Sequence, residues 1–191
     1  MTVSSMMTPR SIPCSQLSIN CPNIDSDPPL SPAPEESTAG LYEPVEILPR
    51  VFLGNVAHAS NLDQLRQHGI SRVINVTDHI DNFFENNPQI HYYRIPLRDN
   101  WNDLILNKLK EAFEFIEEAK SCDHGVLVHC YAGVSRSATL VLAYLMYKLS
   151  WSLNEAFDYL QQIKPTVSPN LNFMIQLLAF EKSLDKLHHK Q

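Results

Sequence analysis

Apolar residues follow two different periods along the chain from Leu41 onward. Short apolar runs typical of β-strands occur at Val45–Leu48, Val51–Leu53, Arg72–Val76, Tyr92–Ile95 and Val126–His129. A stretch over residues 106–120 instead has helical spacing, with its apolar residues on one face. Further helices are predicted over residues 135–148, 152–163 and 170–184. Strands that alternate with helices indicate an α/β fold with a central, mostly parallel, five-stranded twisted sheet flanked by helices.

Residues 1–40 have a different composition from the rest of the chain. They hold seven of the 13 prolines and eight serines, and they contain no aromatic residue. Such a segment cannot bury enough apolar surface to offset the entropy lost on ordering. We therefore predict a disordered leader over residues 1–40, a folded domain over residues 41–184 and a frayed tail over residues 185–191.

Charge and cysteine usage narrow the function classes. The chain has 15 basic and 21 acidic side chains, a formal net charge of −6, and it has no basic run, which argues against nucleic acid and membrane partners. It has no stretch of ~20 apolar residues and no signal-peptide pattern, so we expect a cytoplasmic or nuclear protein. The four cysteines lack metal-type spacing and are expected to be thiols. The sequence does not indicate an oligomeric state.

A cysteine-containing loop joins the last predicted strand to the next helix. Cys130 directly follows the run that ends at His129, and the helix begins near Ser135. Unpaired N–H groups and the positive end of a helix dipole converge on an oxyanion in such a loop. The pattern predicts a phosphate-binding loop made of Tyr131, Ala132, Gly133, Val134, Ser135 and Arg136.

The residue types in this loop suit nucleophilic attack on phosphorus. The helix dipole favours the thiolate of Cys130, which is a nucleophile. Arg136 offers a planar fork for two phosphate oxygens, and Gly133 permits close approach of the backbone. Ser137 is expected to donate a hydrogen bond to the sulfur, and His129 to orient the backbone rather than act as a base. The alternative is that Cys130 is an inert cysteine buried at a strand end.

The string HCYAGVSRS over residues 129–137 resembles the signature HCxxGxSRS of cysteine-dependent protein phosphatases, in particular their dual-specificity branch. Other segments that resemble MAP-kinase phosphatase catalytic domains are Val45–Pro49, Phe52–Gly54, Val73–Thr77 and Ser168–Met174. The resemblance covers residues 43–184. It implies a cysteine-phosphatase-like fold and hydrolysis of phosphotyrosine and phosphoserine or phosphothreonine on proteins through a phosphocysteine on Cys130.

The resemblance also implies an aspartate that protonates the leaving oxygen and later activates water. In the family this aspartate lies on a loop that follows a strand and precedes the cysteine. Asp99 follows the strand that ends at Ile95 and lies 31 positions before the cysteine, so it is the predicted general acid and base. Asp103 is the competing candidate, whereas Asp78 and Asp81 are interpreted as solvated loop charges.

Asn170 resembles a family asparagine that braces the phosphate loop, although capping of the last helix would also explain it. The histidines are scattered and no GxxxxGK[ST] loop occurs, so we expect neither a metal nor a nucleotide cofactor. The phosphate loop has no lysine, which favours a single phosphate on a protein over a phosphoinositide. The resemblance makes MAP kinases the expected substrates.

Docking and regulation leave alternatives open. The sequence has no upstream docking domain of the MAP-kinase phosphatase type, so we expect docking on the catalytic domain, with Leu171–Met174 as a candidate apolar patch. Ordinary core packing of Phe173 and Met174 is the alternative. Two alternatives to a MAP-kinase phosphatase are an atypical small phosphatase with another substrate and a non-catalytic module that binds phosphoproteins. Cys122 is a candidate for a protective disulfide with Cys130 if the fold brings the two together, and an ordinary surface or core thiol is the alternative.

Overall fold

A five-stranded sheet forms the centre of the computed structural model, which describes residues 43–188. Its strands are β1 (Val45–Leu48), β2 (Val51–Gly54), β3 (Ile70–Asn75), β4 (His91–Arg94) and β5 (Gly125–His129). The strand order is β1-β2-β5-β3-β4. Strand β1 pairs antiparallel with β2, and all other neighbours pair parallel. The mostly parallel five-stranded sheet predicted from the sequence is thus confirmed.

Six α-helices connect or follow the strands in the described part of the chain. They are α1 (Val56–Ala59), α2 (Leu62–Gln67), α3 (Leu109–Ser121), α4 (Arg136–Leu149), α5 (Leu153–Ile163) and α6 (Leu171–His188). A single 3₁₀ turn, Leu106–Lys108, leads into α3. Helix α5 begins where the sequence favours it, because Ser152 and Glu155 form a reciprocal capping box. No helix within residues 43–188 has the length and apolar character needed to cross a membrane.

Two apolar clusters cover the two faces of the sheet. The larger one contains buried residues of α3, α4, α5 and α6, and helix α4 is buried along residues 136–146. The smaller cluster contains Phe52, Ala59, Leu65, Ile70, Val73, Ile90 and Leu127. Strand β5 lies between β2 and β3 and all five of its residues are buried. The residue that follows β5 is therefore held at the carboxyl edge of the sheet by the most buried strand.

The predicted elements differ from the observed ones mainly at their ends. The helix expected to start at residue 106 begins as a 3₁₀ turn and becomes α-helical at Leu109. Helix α6 continues to His188, four residues beyond the predicted end at Leu184, because no Gly or Pro interrupts the chain there. Residues 185–188 of the predicted frayed tail thus form the last turn of α6. The predicted leader and residues 189–191 lie outside the described residues.

Candidate active site

The loop between β5 and α4 surrounds the sulfur of Cys130 with hydrogen-bond donors. We call residues 130–135 the cysteine loop. The Cys130 side chain is buried, and its Sγ accepts hydrogen bonds from the backbone N–H of Gly133 at 3.3 Å and the hydroxyl of Ser137 at 3.1 Å. Hydrogen bonds to sulfur from two donors stabilise a negative charge on it. The predicted contact between Ser137 and the sulfur is present in the structure.

Gly133 makes the tight turn of the cysteine loop possible. Its φ is +71°, in the left-handed region that favours glycine. A Cβ at this position would lie 2.6 Å from the carbonyl oxygen of Gly54 at the end of β2. The sequence predicted that the backbone at Gly133 approaches another group closely. In the structure that group is the backbone at the end of β2.

Arg136, at the start of α4, is buried beneath the cysteine loop. Its Nη1 donates a hydrogen bond to the carbonyl oxygen of Leu97 at 3.0 Å, and its Nε lies 3.8 Å from a carboxylate oxygen of Asp99. Nε itself has no hydrogen-bond partner among residues 43–188. The guanidinium is therefore held in place at one end and retains a donor that a ligand oxygen could use.

Asp99 reaches the cysteine loop from a second loop, residues 97–105, which we call the aspartate loop. Its Oδ1 accepts hydrogen bonds from the hydroxyl of Ser135 at 2.9 Å and from Nδ2 of Asn170 at 2.5 Å. About a third of the Asp99 side chain is exposed. Residues 36 and 71 positions away in the sequence thus meet around one carboxylate, which lies next to Arg136 and faces the solvent.

A single cleft contains these groups. It has a volume of about 560 Å³ and is lined by Asp99, Cys130, Tyr131, Ala132, Val134, Ser135, Arg136, Ser168, Pro169 and Asn170. Asp99 is the one carboxylate among these lining residues. The cleft therefore holds a thiol, a guanidinium and a carboxylic acid side by side.

The other candidate carboxylates are held elsewhere. Asp103 accepts hydrogen bonds from the backbone N–H of Arg98 at 2.7 Å and from its guanidinium at 3.2 Å, and these contacts lower the pKa of Asp103. The pKa of Asp78 is lowered by its hydrogen bond with His79. Asp81 is almost fully exposed and pairs with an arginine on β4. Asp103 stabilises the aspartate loop and is not a residue of the cleft.

His129 lies behind the nucleophile and not beside a reacting group. It is 1% exposed, and burial lowers its pKa to about 4. Its Nδ1 lies 3.4 Å from the carbonyl oxygen of Cys130. The imidazole is therefore neutral near pH 7 and contacts the backbone of the cysteine loop.

Asn170 contacts both loops and also caps helix α6. Its Oδ1 accepts a hydrogen bond from the backbone N–H of Phe173, its backbone N–H donates to Ser135 Oγ, and its Nδ2 donates to Asp99. The neighbouring Ser168 N–H donates to the carbonyl oxygen of Val134 at 2.9 Å. Asn170 thus has the brace and the cap roles together.

Sequence analysis missed two residues at this site. Ser135 was predicted only as part of the phosphate loop, but its hydroxyl bridges Asp99 and Asn170. Lys164, at the end of α5, is buried, and burial lowers its pKa while the nearby Cys130 raises it. No spacing pattern indicated the hydrogen bonds of Ser135 or the proximity of Lys164 to Cys130, because these contacts join segments that are distant in sequence.

The structure decides two alternatives that the sequence left open, and Cys122 is an exposed free thiol. Cys122 and Cys130 lie at opposite ends of β5, roughly 16 Å apart at ~3.3 Å per residue, far beyond the ~7 Å limit between the Cα atoms of a disulfide. Phe173 is fully buried in the core and so cannot belong to a docking patch. Among the α6 residues whose side chains the structure describes, the exposed large apolar ones are Leu171, Ile175 and Leu178.

No group of three or more His, Cys, Asp or Glu side chains within residues 43–188 is arranged to hold a metal ion.

A family model and individual proteins that match the chain all belong to the dual specificity phosphatases. The family model described as "Dual specificity phosphatase, catalytic domain" matches residues 51–183. Human dual specificity protein phosphatase 9 is 51% identical over 141 residues, which are 74% of this chain and 37% of that protein. Human dual specificity protein phosphatase 6 is 48% identical over the same shares. The chain thus spans less than two fifths of the length of these relatives.

The fold also matches solved structures. The crystal structure of human DUSP28 aligns with a TM-score of 0.71 and 29% sequence identity, and the alignment covers 75% of this chain and 99% of that one. The similarity therefore extends over nearly the whole of that neighbour.

Proposed function

Because the catalytic-domain model covers residues 51–183, the chain belongs to the dual specificity phosphatase family, and we propose that it hydrolyses phosphate monoesters on proteins. The observation that carries this proposal is the meeting of Cys130, Arg136 and Asp99 in one cleft. A reader without catalytic activity needs only the phosphate-binding groups. The presence of a nucleophile and an acid beside them supports an enzyme.

In the first step the thiolate of Cys130 attacks phosphorus, a sulfur–phosphorus bond forms, and the bond to the substrate oxygen breaks. Asp99, in its protonated form, gives its proton to that leaving oxygen. Arg136 and the amides of the cysteine loop hold the remaining phosphate oxygens and stabilise their charge in the transition state. The Nε donor of Arg136 that lacks a partner supports this role.

In the second step Asp99, now a carboxylate, removes a proton from water, and the water oxygen attacks phosphorus. The sulfur–phosphorus bond breaks, inorganic phosphate is released, and Cys130 returns as a thiolate. The hydroxyl of Ser137 lies 3.1 Å from Sγ and donates to the departing sulfur. Neither step needs a redox change or a further reactant besides water.

Phosphorylated proteins are the proposed substrate class. Arg136 is the one basic residue among those that line the cleft, which suits a single phosphate better than a phosphoinositide head group. The cleft is open to the surface, so both phosphotyrosine and phosphothreonine can reach Cys130. The sequence resemblance to MAP-kinase phosphatase catalytic domains described above supports MAP kinases as substrates, and we propose that the protein acts on them in the cytoplasm or nucleus.

An exposed apolar stripe next to the cleft supports docking of an intact kinase. The stripe consists of Leu171, Ile175 and Leu178 on α6, and Trp101 and Leu104 of the aspartate loop are exposed as well. Ile175→Asp is expected to raise KM for a folded phosphorylated kinase and to leave KM for a short phosphopeptide unchanged. An equal rise for both substrates would contradict docking at this stripe.

The test of the reaction uses a doubly phosphorylated MAP-kinase activation-loop peptide and a phosphoinositide, both with a chelator present. We expect phosphate release from the phosphotyrosine and the phosphothreonine of the peptide, abolished by Cys130→Ser and strongly reduced by Asp99→Asn. Binding of the peptide without turnover would identify a reader and overturn the proposal. Faster turnover of the phosphoinositide would overturn the substrate class.

A further inference from the structure

The aspartate loop is fixed on both sides of Asp99. On the preceding side, the carbonyl oxygen of Leu97 accepts a hydrogen bond from Arg136, and the backbone N–H of Arg98 donates to Asp103. On the following side, the carbonyl oxygen of Asn100 accepts a hydrogen bond from Nδ2 of Asn172 at 3.2 Å. The position of the Asp99 carboxylate therefore depends on contacts made by its neighbours as well as on its own.

Gln176 is the buried polar residue that holds the far end of this loop. It lies on α6 and is 6% exposed. Its Oε1 accepts a hydrogen bond from the backbone N–H of Ile105 at 2.9 Å, and its Nε2 donates to the carbonyl oxygen of Asp103 at 3.0 Å. The same Nε2 lies 3.2 Å from Oδ1 of Asn172. Both polar atoms of the amide are thus used, and both contact the backbone of the aspartate loop.

Asn172 continues this set of contacts towards Asp99. Its Nδ2 donates to the carbonyl oxygens of Asn100 and Asp103, at 3.2 and 3.1 Å. Asn170, two residues earlier, donates directly to the Asp99 carboxylate. Three amide side chains at the amino-terminal part of one helix therefore contact the loop at three successive points. A buried amide that loses its partners is destabilising, so this arrangement favours one loop position.

We propose that Gln176 is a positioning residue for the general acid, which it acts on through Asn172 and the backbone of the aspartate loop. The inference rests on the proposed function, in which Asp99 protonates the leaving oxygen. Gln176 is not among the residues that line the cleft, and its side-chain hydrogen bonds go to Ile105, Asp103 and Asn172 and not to the cysteine loop. Loss of its hydrogen bonds should therefore misplace the acid and leave the nucleophile intact.

This role has a signature that a merely structural role lacks. A leaving group that is already a stable anion needs no proton, whereas a tyrosine or threonine oxygen does. Misplacing the acid lowers the rate only for the second kind of substrate. General loss of folded protein lowers the rate for both kinds equally.

The experiment compares Gln176→Leu with Leu177→Ala, measured with a phosphotyrosine peptide and with an aryl phosphate whose phenol is strongly acidic. Leu177 is a fully buried apolar neighbour on α6 whose side chain forms no hydrogen bonds, so its variant removes core packing and leaves the hydrogen bonds to the aspartate loop in place. For Gln176→Leu we expect kcat/KM to fall about tenfold on the peptide and less than twofold on the activated ester, since small misplacements of reacting groups cost rate steeply. Leu177→Ala should leave the ratio of the two rates unchanged.

An unchanged ratio in Gln176→Leu would overturn the proposal. If that variant does not fold, Asn172→Ala, at a half-buried position, tests the same connection with the same expected direction. Asp99→Asn measured in parallel separates the two levels of inference. If it shows no dependence on the leaving group, the acid assignment fails; if it alone shows the dependence, only the role of Gln176 fails.

Discussion

The cysteine loop and the aspartate loop meet at one cleft, but different kinds of contact hold them. The cysteine loop lies between a fully buried strand and a helix buried along eleven residues, and its sulfur accepts hydrogen bonds from within residues 130–137. The aspartate loop lies on the surface, and side chains of α6 about 70 positions away hold it. The nucleophile is therefore positioned by local sequence, and the acid by tertiary structure.

Replacement of Cys130, the proposed nucleophile, should lower activity more than any other change. The same replacement at the other cysteine of the domain should have no effect. Cys130→Ser is expected to lower kcat on every substrate by at least ~10⁴-fold, because a serine hydroxyl without a base is a poor nucleophile. Cys122→Ser, at the other end of β5, should leave kcat unchanged. Steady-state assays of both variants on the phosphotyrosine peptide check this. Activity lost in both would mean that the two cysteines are functionally connected.

Acid should destabilise the protein through the histidine behind the cysteine loop. Burial lowers the pKa of His129 to about 4, so between pH 6.5 and 4 the unfolded chain binds a proton that the folded chain does not. Stability is then lost as the pH falls through this window, by up to ~3 kcal/mol, since each pKa unit is worth ~1.4 kcal/mol. Below pH 4 the imidazole is protonated in the folded chain as well, so His129 causes no further loss of stability there.

Denaturant unfolding of the wild type and His129→Asn at pH 7 and pH 4.5 measures this contribution. The variant should be less sensitive to pH than the wild type, and the exposed His91→Asn should behave like the wild type. Equal pH dependence in all three proteins would show that His129 is not the group responsible.

Gly133→Ala tests whether catalysis depends on the backbone conformation of the cysteine loop. The effect on kcat/KM is compared with the effect on stability. The added Cβ would meet the carbonyl oxygen of Gly54, so the loop must shift, and a shift of the phosphate-binding groups is expected to lower kcat/KM about 10²-fold. Gly69 also has a positive φ, +63°, but lies far from the cleft, at the start of β3. Gly69→Ala is therefore the control for positive φ without a backbone clash, because its Cβ would meet only the end of the Arg50 side chain at 3.2 Å; we expect a smaller loss of stability and unchanged kcat/KM.

The difference between the two loops explains what the sequence could predict. The roles of Cys130 and Arg136 follow from seven consecutive residues in a strand-loop-helix context, so their geometry could be inferred directly. The choice of Asp99 over Asp103 required a family resemblance, and only the structure shows that Asp103 is bound to Arg98. The contacts of Gln176 could not be predicted, because no sequence period relates a helix amide to a backbone carbonyl about 70 positions earlier.

The same reasoning applies to the fold. Buried strands gave apolar runs whose ends agree with the structure within about two residues, and β2 and β5 are examples. Helices α1 and α2 were not individually predicted because they have four and six residues, too few to display a helical period. Their starts are marked by capping asparagines, Asn55 and Asn61, which are a weaker signal than periodicity.

Replacement of the two serines that flank Arg136 should give the smallest effects on kcat. The two variants should nevertheless differ in which substrate they affect. Ser135 donates to the Asp99 carboxylate, whereas Ser137 donates to the sulfur of Cys130. Ser135→Ala should lower kcat about fivefold to tenfold on the phosphotyrosine peptide and leave the activated aryl phosphate unaffected, because Asn170 still holds Asp99. Ser137→Ala should lower kcat about tenfold on both substrates, since loss of a hydrogen bond to a charged group is worth ~1.5–3 kcal/mol.

Rapid-mixing measurements separate the two steps that these serines serve. Because Ser137 stabilises the thiolate as it leaves phosphorus, Ser137→Ala should release the first phenol at a normal rate and then turn over slowly, which produces a burst. Ser135→Ala should slow the first release of tyrosine from the peptide and show no burst. If both variants behaved alike on both substrates, the two hydroxyls would serve one common structure, and the separation between a locally built nucleophile and a remotely held acid would be wrong.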